Sequence, residues 1–150
     1  MRSLSVSKIV KPGTLWIPLS RRLQLPKTVP TTPSAPKALG PYSFVAEAAG
    51  LVFLSGQVGL VPATGERAPD DVTAQAHQVM KNIGGILGDL ELGYSDIVKT
   101  TIFLDDMADY PTVNDVYGSY FEAEPPARSA IEAGGLPGGF LVEIEVVAAR

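Results

Sequence analysis

PPARSAIEAGGLPGGFLVEIEVVA, residues 125–148, is the stretch on which the reading of the fold turns. Val142, Ile144 and Val146 alternate with Glu143, Glu145 and Val147, the period of two expected of a strand with one buried face. Ser129 and Ile131 alternate in the same way with Arg128, Ala130 and Glu132. Between the two runs stand Gly134, Gly135, Pro137, Gly138 and Gly139, residues that turn or break a chain. The pattern predicts an antiparallel hairpin centred on Gly135–Leu136. In that register Ser129 faces Val142 and Ile131 faces Phe140 on the apolar face, while Ala130 faces Leu141 and Arg128 faces Glu143 on the other. A fixed cation and a carboxylate then share one wall, a candidate for chemistry. A surface cross-strand ion pair of about 0–1 kcal/mol explains the same two residues.

Working outward, Ile97–Leu104 (IVKTTIFL) is β-rich and reads as a central strand, with Tyr110 to Phe121 following as a helix. In that helix Val113, Val116, Tyr117, Tyr120 and Phe121 face inward. Asp105, Asp106 and Asp109 between strand and helix do not have EF-hand spacing and read as a solvated helix entry. Asp71 to Leu90 is the clearest helix. Asp71 is its N-cap, and Val72, Ala76, Val79, Ile83, Ile86, Leu87 and Leu90 form one stripe. His77 lies off the stripe and reads as exposed. Gly84, Gly85 and Gly88 mark places where a neighbour comes close, and Gly93 is the expected stop. Phe44–Ala46 and Leu51–Gly56 are two further strands around an Ala49–Gly50 turn. Strands, helix, strand, helix and strands together predict an α+β fold. It is a two-layer sandwich: one mixed, mostly antiparallel sheet with two helices on one face. Apolar residues on both sides of the last strand (Leu141, Val147) favour burial against another subunit.

Residues 1–33 are a basic, Pro- and Ser-rich extension, and residues 34–150 form the body. Three readings of the extension stay open: an arm anchored by Trp16, Ile17 and Leu19, an overlong start, or a mitochondrial-type leader. The 150 residues suggest one domain, with no cysteine and one histidine, so neither a thiolate site nor a His-bound catalytic metal is expected. Arg2, Lys8, Lys11, Arg21, Arg22 and Lys27 precede any acid, and all 16 acidic residues lie from Glu47 onward. The body is therefore near −10, six basic against 16 acidic residues, which disfavours nucleic acid as a partner. No apolar run reaches the ~20 residues of a membrane span. The expected compartment is the cytoplasm, or the mitochondrial matrix if the extension is a leader.

Five short pieces occur in order: Ser34-Ala-Pro-Lys-Ala-Leu-Gly-Pro-Tyr42-Ser, Leu54-Ser-Gly-Gln57, Asp96-Ile-Val-Lys-Thr-Thr101, Pro126-Ala-Arg-Ser129 and Val142-Glu-Ile-Glu145. Together they resemble the RidA (YjgF) family of reactive intermediate imine deaminases, over roughly residues 30–150. The resemblance implies a chorismate-mutase-like fold and a homotrimer with clefts between subunits. It also implies hydrolysis of 2-imino acids or their enamines, such as 2-iminobutanoate and 2-iminopropanoate, to 2-oxo acids and ammonia. It implies no metal or organic cofactor. By motif, the essential arginine falls on Arg128 and the acidic residue on Glu143. Substrate-binding positions fall on Tyr42, Ser55, Asn114 and Ala130, the last replacing a cysteine frequent in bacterial members. Arg128 offers a planar fork for the substrate carboxylate, and Glu143 a base for water. The main alternative is a non-catalytic trimeric module that binds small carboxylates or 2-oxo acids.

Overall fold

A computed structural model describes residues 26–38 and 40–150. The arm anchors expected at Trp16, Ile17 and Leu19 lie outside the described residues. Five strands form one mixed sheet in the order β1-β2-β5-β3-β4. They are β1 Val45–Ala48, β2 Leu51–Val58, β3 Ile97–Leu104, β4 Ala127–Glu132 and β5 Val142–Ala149. Two helices, α1 Val72–Asp89 and α2 Tyr110–Gly118, pack together and share one core with the sheet face bearing Val142, Ile144 and Val146. This is the predicted two-layer α+β architecture.

The predicted hairpin is not formed. β3 lies between β4 and β5, antiparallel to β5 and parallel to β4. The cause is the β3–α2–β4 unit: a helix between two strands is the crossover that parallel pairing requires. The segment from residue 133 to 141 then only has to step over β3, about 10 Å, well within its reach. Arg128 therefore pairs with Thr100, and Glu143 with Phe103 and Val58.

α1 begins where expected. The Asp71 side chain accepts the Ala74 N–H at 2.8 Å. Val79, Ile83, Ile86 and Leu87 are fully buried, each contributing about 1.5–3 kcal/mol by leaving water. The helix ends earlier than Gly93. Glu91 takes the left-handed position at φ 59°, and Leu92 N–H donates back to Leu87 O at 2.9 Å. Tyr94 then packs over Gly84, and Ser34 over Gly85, whereas Gly88 has open space. His77 is half-buried rather than exposed: its Nδ1 is 2.9 Å from the Tyr120 hydroxyl, which joins α1 to the end of α2. α2 stops at Gly118, so Tyr120 and Phe121 pack on the core from beyond it. Asp106 caps the turn before α2 by accepting the Ala108 N–H. Ahead of the sheet, Thr28 exchanges two backbone hydrogen bonds with Glu47 of β1. No helix among the described residues is long and apolar enough to cross a membrane.

Candidate functional site

An open cavity of about 500 Å³ lies where Pro36 and Lys37, the segment Gly40–Phe44, the end of β2 and the loop before β5 converge. Its polar groups are few. Glu143 projects from β5 into the cavity, and its carboxylate occupies the space above Gly56, where a Cβ would collide with it. β2 carries a bulge between Leu54 and Gln57 that places Ser55 and Gly56 there. Ser55 donates its hydroxyl to Ser43 O at 2.8 Å, which straps the Tyr42 segment to the bulge and leaves the hydroxyl oxygen free to accept. Tyr42 is half-exposed and stacks edge-on against Phe44, ring centroids 5.5 Å apart. Phe44, Leu60 and Phe140 make much of the remaining wall apolar.

That setting acts on Glu143. Loss of solvent, and secondarily the charge of Glu145, push its carboxyl above the usual carboxylate range. The carboxylate accepts no hydrogen bond from the described residues. It is thus a more basic carboxylate than an exposed one, aimed into an apolar cleft, as a general base requires.

Arg128 is elsewhere. Its strand neighbour Thr100 is buried and hydrogen-bonds Tyr117 of α2 at 2.9 Å, so Arg128 also points toward the helices. There Nη2 donates to Asn114 Oδ1 at 2.9 Å and to the Tyr110 hydroxyl at 3.0 Å. The guanidinium lies 5.0 Å from the Tyr117 ring centroid, within cation–π range. Nη1 and Nε make no hydrogen bond among the described residues, so part of the fork is open. Within one chain Arg128 and Glu143 lie on opposite faces, two strands apart, and the shared wall expected from the hairpin register does not exist. The structure therefore makes two groups: Tyr42, Ser55 and Glu143 at the cavity, and Arg128 with Asn114 beside edge strand β4, where Ala130 also sits half-buried.

Pattern reading missed Gln57, Asn82, Arg67 and Phe140. Gln57 and Asn82 are buried polar residues that line the cavity, and Asn82 Nδ2 donates to Val58 O and Leu60 O. Asn82 thus holds the chain leaving β2, while Gln57 Nε2 donates back to Ser55 O at 2.9 Å within the bulge. Their polarity on an otherwise apolar face was the available signal. Among the described residues no cluster of three His, Cys, Asp or Glu side chains is placed to hold a metal.

Comparison with known proteins agrees on one family. A family model described as Endoribonuclease L-PSP matches residues 32–150. The Arabidopsis thaliana protein named Reactive Intermediate Deaminase A, chloroplastic, is 49% identical over 122 residues, covering 81% of this chain and 65% of that protein. The mouse 2-iminobutanoate/2-iminopropanoate deaminase is 42% identical over 124 residues, 83% of this chain and 92% of that one. The crystal structure of the Escherichia coli YjgF gene product superposes with a TM-score of 0.76 at 41% identity, over 82% of this chain and 98% of that one.

Proposed function

The chain belongs to the Endoribonuclease L-PSP family, the RidA (YjgF) family of the sequence resemblance, and from that premise we propose that it hydrolyses 2-imino acids to 2-oxo acids and ammonia. The observation that carries the reading is the Glu143 carboxylate, held in an apolar cavity beside the Tyr42 and Ser55 side chains.

A 2-imino acid presents a carboxylate next to a C=N bond. Glu143 takes a proton from water as the water oxygen bonds to the imine carbon. The electron pair of the C=N bond moves to nitrogen, which takes the proton that Glu143 accepted, and a tetrahedral amino alcohol forms. As that intermediate collapses, the hydroxyl proton passes through Glu143 to nitrogen, the oxygen electron pair forms the C=O bond, the C–N bond breaks, and ammonia leaves behind the 2-oxo acid. Ser55 accepts from the substrate nitrogen through the oxygen its strap leaves free, and Tyr42 adds a hydroxyl at the mouth. Orienting water and substrate together replaces a chance encounter by a fixed one.

The substrate carboxylate needs a cation, and Arg128 has an open fork. Because Arg128 and Glu143 lie on opposite faces of one sheet, a second copy must bring the guanidinium to the cavity. The helix-free face supports such an assembly. Leu51, Phe53 and Ile131 are exposed there, with Val147 and Phe103 half-buried between them, an apolar band across the sheet. We read the assembly as a homotrimer with one cleft at each contact, Asn114 orienting Arg128 and Ala130 lining the same side. No metal or organic cofactor enters the scheme, and the compartment proposed is the cytoplasm, or the mitochondrial matrix if residues 1–33 are a leader. RNA cleavage, which the family description names, has less support: the one histidine is engaged with Tyr120, and the body near −10 repels a polyanion.

The test is a coupled assay in which threonine dehydratase generates 2-iminobutanoate and semicarbazide traps it. Adding the protein is expected to lower semicarbazone formation, and Arg128→Ala to abolish that effect while the oligomer stays folded. A fully active Arg128→Ala overturns the assignment. A folded oligomer inert toward several imines, yet binding 2-oxo acids, leaves the carboxylate-binding module.

A further inference from the structure

The loop from Gly134 to Phe140 forms one wall of the cavity through Pro137, Gly138 and Phe140. Four of its seven residues are glycine, so the chain alone restrains it little. Among the described residues, its only hydrogen bonds to other parts of the molecule come from one side chain. Arg67 Nη1 donates to Gly138 O at 3.0 Å, and Nη2 donates to Gly139 O. Gly138 and Gly139 both have φ of 67°, a left-handed pair that accompanies these two carbonyls meeting one guanidinium. The same guanidinium lies 4.7 Å from the Phe140 ring centroid and is held from behind by Asp70 Oδ1 at 2.9 Å.

Arg67 is itself fixed. It pairs with Leu60 across a short stem that continues from β2, closed by Val61 N–H to Glu66 O at 2.8 Å and Ala68 N–H to Gly59 O at 2.7 Å. β2 also carries Ser55 and Gly56. The cavity floor and its glycine-rich wall are therefore tied together through Arg67. Tyr42 and Phe44 line the same cavity, so an occupant meets aromatic surface from their side chains as well as from Phe140.

We propose that Arg67 is a positioning residue that latches the Gly138–Phe140 wall, and that the latched Phe140 gives the site a preference for 2-imino acids with large apolar side chains. This inference rests on the imine-hydrolysis reading. A planar guanidinium suits the role because it donates to two successive carbonyls and lies over the aromatic ring at once, which an ammonium cannot do.

The test compares wild type, Arg67→Lys, Arg67→Ala and Phe140→Ala on imines formed from phenylalanine and from alanine by an amino-acid oxidase with catalase. Wild type is expected to favour the phenylalanine-derived imine. In Arg67→Ala and Phe140→Ala the ratio of the two kcat/KM values falls about tenfold, through KM rather than kcat, with Arg67→Lys in between. Calorimetric Kd values for phenylpyruvate and pyruvate should show the same ranking without turnover. A wild type inert to imines would defeat the deaminase reading and leave the latch to be judged on those Kd values. Equal loss on both substrates in Arg67→Ala, or a wild type with no preference in either measurement, overturns the proposal.

Discussion

At the scale of single residues, Glu143 links the cavity to pH. Its carboxyl sits above the ordinary range because the cavity removes water from it and Glu145 adds a like charge. The base form is the working form, so kcat/KM should rise with pH along a limb that Glu143 sets, raised by the cavity and lowered where the next copy's Arg128 stands beside it. Glu143→Gln should remove that limb and lower activity by about 100-fold or more. The same shift affects folding. Between the unfolded carboxyl's pKa and the raised native one, Glu143 holds more proton in the native state, so its contribution to stability falls as pH rises through that window. Glu143→Gln should flatten this slope and be the more stable protein at pH values above it. Urea unfolding at a series of pH values reads the difference. A stability difference between wild type and Glu143→Gln that does not change across the window refutes the desolvated carboxylate.

At the scale of elements, α1 separates two kinds of glycine. A methyl group at Gly84 would strike the Tyr94 hydroxyl and lie 2.9 Å from its Cζ. Tyr94 cannot easily yield, since its hydroxyl donates to Met80 O at 2.7 Å and its ring packs edge-on against Tyr120 and Phe121. Burial of this phenol, with Tyr120 beside it, pushes its pKa up to about 12. Gly84→Ala should therefore destabilise by about 1–3 kcal/mol, overpacking outweighing the helical gain of alanine. Gly88 is exposed with nothing within 4 Å, so Gly88→Ala should stabilise by up to about 1 kcal/mol. Chemical denaturation of the two variants should move in opposite directions, and equal shifts would refute the packing argument. The helices were legible in sequence because burial imposes a periodicity on them, and β3 because its residues are β-branched and aromatic. Strand adjacency was not. Alternation in residues 142–147 marked the buried face of β5, but in 128–132 it pointed to the wrong one, since Ser129 and Ile131 are exposed and Arg128 and Ala130 turn half-buried toward the helices; neither run says which strand lies beside it. The strand–helix–strand order around Tyr110 was the sign that β4 would run parallel to β3. Motif resemblance located Glu143, Tyr42 and Ser55, which the structure brings to one cavity. Arg67 was illegible, since its partners are backbone carbonyls some 70 residues away and carry no side-chain signature.

At the scale of the whole molecule, the separation of Arg128 from Glu143 makes a prediction that no single-chain site can share. If each cleft takes Glu143 from one copy and Arg128 from the next, two inactive proteins can repair each other. Arg128→Ala chains retain Glu143, and Glu143→Gln chains retain Arg128. Both substitutions leave the β3–β5 ladder and the apolar band on the helix-free face intact, so mixed oligomers should assemble. Random mixing of equal amounts, by co-expression or joint refolding, leaves about one cleft in four with both native groups. Semicarbazide trapping should then show about a quarter of the wild-type rate, where each variant alone shows almost none. A cleft built within one chain gives no recovery at any ratio, because every chain in the mixture lacks one of the two groups. Recovery that follows the product of the two chain fractions, greatest at equal amounts, would establish that the catalytic site exists only between copies. The exposed apolar band and the open fork of Arg128 would then both be consequences of a sheet built to complete its chemistry by association.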